Sequence, residues 1–158
     1  MADPLIGLHA VLGEFAVFAF LWVLVELFNP NKDSLSRIKI ISMIGVVFLF
    51  LSWIVGGYYY VTIYGADVKP LIKAGPQPWA HAVFTETKEH VFLLLPYLGL
   101  LAFFMIRTAG DNLLKDRKSR LAVQLICLMI VLIGLSMAGM GYLISTGARN
   151  ALEAGVTI

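Results

Sequence analysis

An all-α fold, an integral membrane four-helix up-and-down bundle, is the fold class the sequence predicts, and three observations predict it. Hydrophobic residues make up 59% of the 158-residue chain and charged residues only 14%, with a mean hydropathy of +0.85. A soluble domain of this size is about half apolar and about a quarter charged, so water is the wrong solvent for much of this chain. Four apolar stretches each approach the roughly 20 residues needed to cross a hydrocarbon layer. The connections between them are mostly short and polar, which makes sequence neighbours antiparallel and residues 1–158 a single domain.

The first span is expected over residues 5–28. Asp3-Pro4 supplies an N-cap and a proline at the first helical position, and Asn29-Pro30-Asn31 ends the helix. No basic segment precedes the long apolar run, so it reads as a span and not as a cleaved signal. The second span covers 38–61 and runs into Tyr58, Tyr59, Tyr60 and Tyr64, an interfacial aromatic belt with Trp79. Residues 62–77, rich in Gly, Pro and polar groups, read as the only substantial loop. The third span, 78–106, has an uninterrupted apolar run only from Val91 to Ile106 and borrows the polar turns His81–His90. Pro96 removes a backbone bond and crowds the carbonyl of Phe92, so a kink is expected there. The fourth span covers 121–144, followed by a small, polar tail.

Lys and Arg set the orientation. Lys32, Arg37 and Lys39 flank the first connection; Arg107, Lys115, Arg117, Lys118 and Arg120 flank the third. Loop 62–77 holds only Lys69 and Lys73. Both termini and that loop are therefore expected on the outer, periplasmic side of a bacterial inner membrane. The net charge of +2 is too balanced for a nucleic-acid surface. A single cysteine, Cys127, excludes an internal disulfide, a CxxC pair and a CxxCH haem attachment.

Polar groups inside a span cost free energy and call for a reason. His9 sits about a turn inside span one, and His90 sits at the outer edge of the apolar part of span three, at similar depth. Helices one and three of an up-and-down bundle are diagonal, so two inward imidazoles would approach the axis from opposite sides. Gly56, Gly57 and Gly141 fall near the same level on helices two and four. Matched axial ligands and missing bulk beside them suit one haem b, with His9 and His90 on the iron. His81, Lys69, Lys73 and Arg149 are then the groups for its propionates. The plainer reading makes the glycine stripes packing seams. A non-haem metal set of Glu86, His90 and His81 is a further alternative, since Glu86 and His90 share a helix face. A di-iron carboxylate site is not expected, because Thr87 stands where its Glu-x-x-His would need an acid. Glu14 lies deep in span one, about 140° around the helix from His9, and reads as a proton carrier or an interface group.

Leu8-His9-Ala10 opening helix one, Gly56-Gly57 ending helix two and His81…His90 opening helix three resemble small four-helix membrane proteins of the b-type cytochrome kind. The same features resemble bacterial four-helix membrane-protein families of similar length. The resemblance implies haem-based electron transfer. The inner half of the chain lacks histidine, so at most one haem is expected and a second redox centre would have to come from a partner. The expected function is a b-type haem electron-transfer subunit of a redox complex, partnered by the bilayer, a larger membrane complex, and quinol or an external carrier. No catalytic residue of its own is expected. The rivals are a cofactor-free accessory subunit docking through its glycine seams and Glu14, and a metal-binding or transport protein.

Overall fold

The computed structural model describes residues 3–157; Met1, Ala2 and Ile158, the ends of the expected 1–158 domain, lie outside the described residues. Every regular element among the described residues is helical. Four long helices, α1 (Pro4–Glu26), α2 (Lys32–Ala74), α3 (Ala80–Ala109) and α4 (Arg117–Glu153), each carry a stretch long and apolar enough to cross a bilayer. A one-turn helix, Asn112–Lys115, lies between α3 and α4. α1 packs on α2 and α4, and α3 packs on the same two, so α1 and α3 are diagonal as an up-and-down order requires.

The helix ends follow local chemistry. Asp3 caps α1 by accepting from the Leu5 N–H at 2.8 Å, with Pro4 at the first helical position where no N–H is needed. Asn31 and Ser34 form a reciprocal capping box at the start of α2. Gln124 donates to the carbonyl of Leu27, satisfying an orphan acceptor at the end of α1. Gly110 stops α3 at φ +50°, a backbone conformation that side chains resist.

The main core is apolar and tightly interlocked. Phe20, Val23, Leu27, Ile38, Ile106, Val123 and Ile130 are fully buried. Three glycines make room within it. A Cβ at Gly45 would lie 2.8 Å from the Phe20 ring, one at Gly99 would lie 2.7 Å from Leu49, and one at Gly134 would collide with Val17. These small residues are seams between the chain's own helices. The outward face is apolar as well: Phe18, Trp22, Phe104 and Leu132 are exposed.

The structure corrects the expected loop at 62–77. α2 continues through it to Ala74 as a π-helical stretch, Tyr60–Val68, followed by Lys69–Ala74. At 43 residues the helix is about 64 Å long, far more than a hydrocarbon layer requires. Pro70 interrupts the bonding less than a mid-helix proline would. It falls at the first turn of the α segment, where the π register has already displaced the usual partner. Only a short turn between α2 and α3 remains. The tail after Ser145 is helical too, since α4 runs to Glu153. The extensions pack as a small second core of Tyr64, Ile72 and Ala80 with Ile144 and Ala148 around it.

α3 is irregular in two places. It opens with a π-helical stretch, Ala80–Thr85, and its regular bonding breaks at Phe92–Leu93 before resuming at Leu94. That break sits where Pro96 was expected to disturb the helix. The Phe92 ring at the break stacks on Trp53 of α2, with centroids 6.3 Å apart.

Candidate functional site

His9 lies in the seam between α1 and α2. Its Nδ1 donates to the Ser52 carbonyl at 2.8 Å, and the Ser52 hydroxyl donates back to the His9 carbonyl at 2.9 Å. A carbonyl only accepts, so Nδ1 carries the proton of the neutral ring and Nε2 keeps the lone pair. The ring fills the space left by Gly56, where a Cβ would lie 2.5 Å from His9 Nδ1. Gly57 faces no atom within 4 Å.

The side chain that α3 sends toward His9 is Lys88. Its Nζ would lie 3.4 Å from a Cβ at Gly141 of α4, and its charge is within Coulombic range of the His9 ring. Lys88 is partly buried and makes neither a hydrogen bond nor an ion pair with any described residue. Its charge alone would suggest a solvated helix end. The missed signal is its heptad spacing from Leu95, which is buried with Gly99, Ala102 and Ile106 on the inner face of α3.

His90 is exposed, so this arrangement does not bring the two imidazoles together. Seven and fourteen residues further on, Tyr97 and Phe104 are exposed too, so His90 belongs to the outward stripe of α3. Its Nδ1 donates to the Glu86 carbonyl at 2.6 Å. With Glu86 and Thr87 it lines a shallow groove of about 470 Å³. Of the three glycines expected beside haem, Gly56 faces the His9 ring and Gly141 the Lys88 ammonium, while Gly57 faces open space. The residues present therefore do not form a bis-imidazole pocket in this arrangement.

His81 is 3% exposed and belongs to a buried network. Its Nδ1 is 3.0 Å from the Tyr64 hydroxyl, which is 2.8 Å from Thr85 Oγ1; Thr85 in turn donates to the Ala80 carbonyl at 3.4 Å. Every group is satisfied if His81 donates to Tyr64 and Tyr64 to Thr85. Tyr60 stacks on Tyr64 and donates to Glu89 at 2.6 Å. The network ties the extension of α2 to the start of α3 and leaves His81 apart from His90. The alternative metal set of Glu86, His90 and His81 is thus not assembled. Among the described residues no three His, Cys, Asp or Glu side chains converge to hold a metal ion.

Glu14 is exposed halfway along α1 and has no hydrogen-bond partner among the described residues. Gly7, Val11, Phe18, Leu21 and Val25 share its outward face. Glu26, by contrast, is paired: Arg37 donates to it at 2.8 and 3.0 Å, and Trp22 at 3.0 Å. Cys127 is fully buried in the core, where it serves as an apolar filler. No protein family, curated protein or solved structure matches the chain.

Proposed function

We propose that the chain is an integral membrane accessory subunit that docks, through the outward face of α1, against a transmembrane helix of a larger complex. The observation that carries this reading is the exposed Glu14, about 15 Å from the start of α1 and so near mid-membrane. A carboxyl facing hydrocarbon costs free energy that a hydrogen-bonding partner helix would offset. Its surroundings suit such a helix. Gly7, Val11, Glu14, Phe18, Leu21 and Val25 repeat at alternating intervals of four and three, an outward seam with an open glycine near one end. Gly45, Gly99 and Gly134, by contrast, are filled by the bundle's own side chains and are not available to a partner.

The orientation belongs to the same proposal. Eight Lys and Arg residues gather at the end holding the first and third connections, which supports a cytoplasmic location for that end in a bacterial inner membrane. The test is the size of the complex solubilised from the native membrane in mild detergent. Glu14→Leu should release the chain as a free monomer, Glu14→Gln should retain assembly, and Phe104→Leu on the outward face of α3 should change nothing. A wild-type chain that runs alone overturns the proposal.

A second reading, one haem b on His9 and His90 serving electron transfer with quinol or an external carrier, keeps one specific support. Both rings donate Nδ1–H to a backbone carbonyl, the arrangement that leaves Nε2 free for a metal. It requires the turns of α3 around His90 to rotate about the break at Phe92–Leu93. A Soret band lost in both His9→Ala and His90→Ala would establish it, and a colourless protein would remove it.

A further inference from the structure

We infer that Lys88 and the adjoining α3–α4 groove form a binding site for one anionic phospholipid, with the phosphate on the Lys88 ammonium and an acyl chain in the groove. Three observations converge on this. The ammonium turns inward over Gly141 and has no acidic or hydrogen-bonding partner among the described residues. An ammonium has three donors and no acceptor, so a site that leaves it unpaired selects for an anion. Beside it runs a groove of about 220 Å³ lined by Val91, Leu132, Ile133, Ser136, Met137 and Met140. Val91 is one turn from Lys88 on the same face of α3, and Met140 adjoins Gly141 on α4. Lys88 is not itself in the groove lining; it adjoins the groove through Val91 on α3 and Met140 on α4.

The third observation is depth. Lys88 lies about 12 Å from the start of α3, just before the uninterrupted apolar run that begins at Val91. That is where a headgroup phosphate sits when its chains occupy the hydrocarbon. A Cβ at Gly141 would lie 3.4 Å from the ammonium, so a side chain longer than alanine would take the space beneath it. His9, fixed through Nδ1 by Ser52, directs Nε2 as an acceptor and adds no competing positive charge in its neutral form. Methionines in the groove adapt to a flexible chain. An anionic lipid and not a partner helix is the favoured occupant, because the groove is small, about 220 Å³, and the one charge beside it is the Lys88 ammonium.

The test uses the full-length protein in nanodiscs of phosphatidylcholine alone or with phosphatidylglycerol, read by native mass spectrometry and thermal unfolding. Wild type should retain one phosphatidylglycerol per chain, enriched roughly fivefold over phosphatidylcholine, the effect expected of one basic contact. Lys88→Gln should reduce the enrichment to none, and Lys88→Arg should keep it. Met140→Trp, which fills the groove and leaves the charge, should also abolish it, so a failure of Lys88→Gln to fold does not end the test. Lys73→Gln, an exposed lysine elsewhere, should have no effect. Equal retention of the two lipids by wild type, or enrichment that survives both Lys88→Gln and Met140→Trp, overturns the inference. Stabilisation by inorganic phosphate in pure phosphatidylcholine, matching that by phosphatidylglycerol, overturns the lipid assignment in favour of a free anion.

Discussion

Gly56 and Gly57 are adjacent in sequence and opposite in consequence. The first is the floor on which the His9 ring rests, and the second has open space beside it. Gly56→Ala should force the ring or the helix aside, an overpacking that costs about 1–3 kcal/mol. Gly57→Ala should be neutral or stabilising by up to about 1 kcal/mol, through helix propensity alone. Thermal unfolding of the two variants in one detergent separates them, and comparable losses at both would refute the packing account. The sequence shows both residues equally as glycine near a helix end. It marks His9 as a polar group needing a reason, but which side chain fills a glycine gap depends on helix rotation, a tertiary property. Lys88 is a second case. Its charge suggested solvent, while its seven-residue spacing from the buried Leu95 already put it on the inner face.

At the scale of elements, the capping signals and the proline break were legible because they are local. Asp3, Pro4 and Pro96 act within a turn of themselves, and the structure has them acting there. The extension of α2 was not legible, because Gly65, Asp67 and Pro70 in a row normally signal a loop. What overrides them is packing of Tyr64 and Ile72 against α3 and α4, invisible without those partners. Tyr64→Phe should therefore loosen this extension selectively. It strips the hydroxyl from between His81 and Thr85 and leaves buried polar groups unpaired, worth about 1–3 kcal/mol. Hydrogen exchange should rise across residues 60–74 and 80–85 and stay unchanged in the buried half of α1. Uniform change along the chain would contradict a local role.

The start of α4 gives a pH dependence whose sign can be worked out. The Ser119 hydroxyl, then the backbone N–H groups of Ser119 and Lys118, hold the Asp116 carboxyl below the ordinary carboxylate value. A depressed folded-state value means the cap stabilises the helix at pH above the ordinary carboxylate range and loses that contribution as the pH falls through the lowered value. The gap in unfolding temperature between wild type and Asp116→Ala should be widest near neutrality and close as the pH falls below the ordinary carboxylate range. A gap independent of pH would mean that the ionised cap contributes nothing.

For the whole molecule, the strongest arrangement is one of charge against length. Four helices place both ends of the described chain at the same end of the bundle, together with the α2 and α3 extensions and their Tyr60, Tyr64 and His81 network. The opposite end holds Lys32, Arg37, Lys39, Arg107, Lys115, Arg117, Lys118 and Arg120 around two short connections. Short, strongly basic connections are retained on the cytoplasmic side, so the proposed orientation puts the extensions in the periplasm. A reporter active only outside the cytoplasm should work when fused after Ile158 and fail when inserted beside Asn112. Moving the balance should move the protein: replacing Lys115, Arg117, Lys118 and Arg120 by Gln while adding four Lys near Lys73 should yield a mixed or inverted population. Fusion activity at Asn112 in the unaltered chain would reverse the orientation. It would also put the Lys88 groove in the cytoplasmic leaflet, where anionic lipid is the more abundant ligand, and leave the bundle's internal packing unchanged.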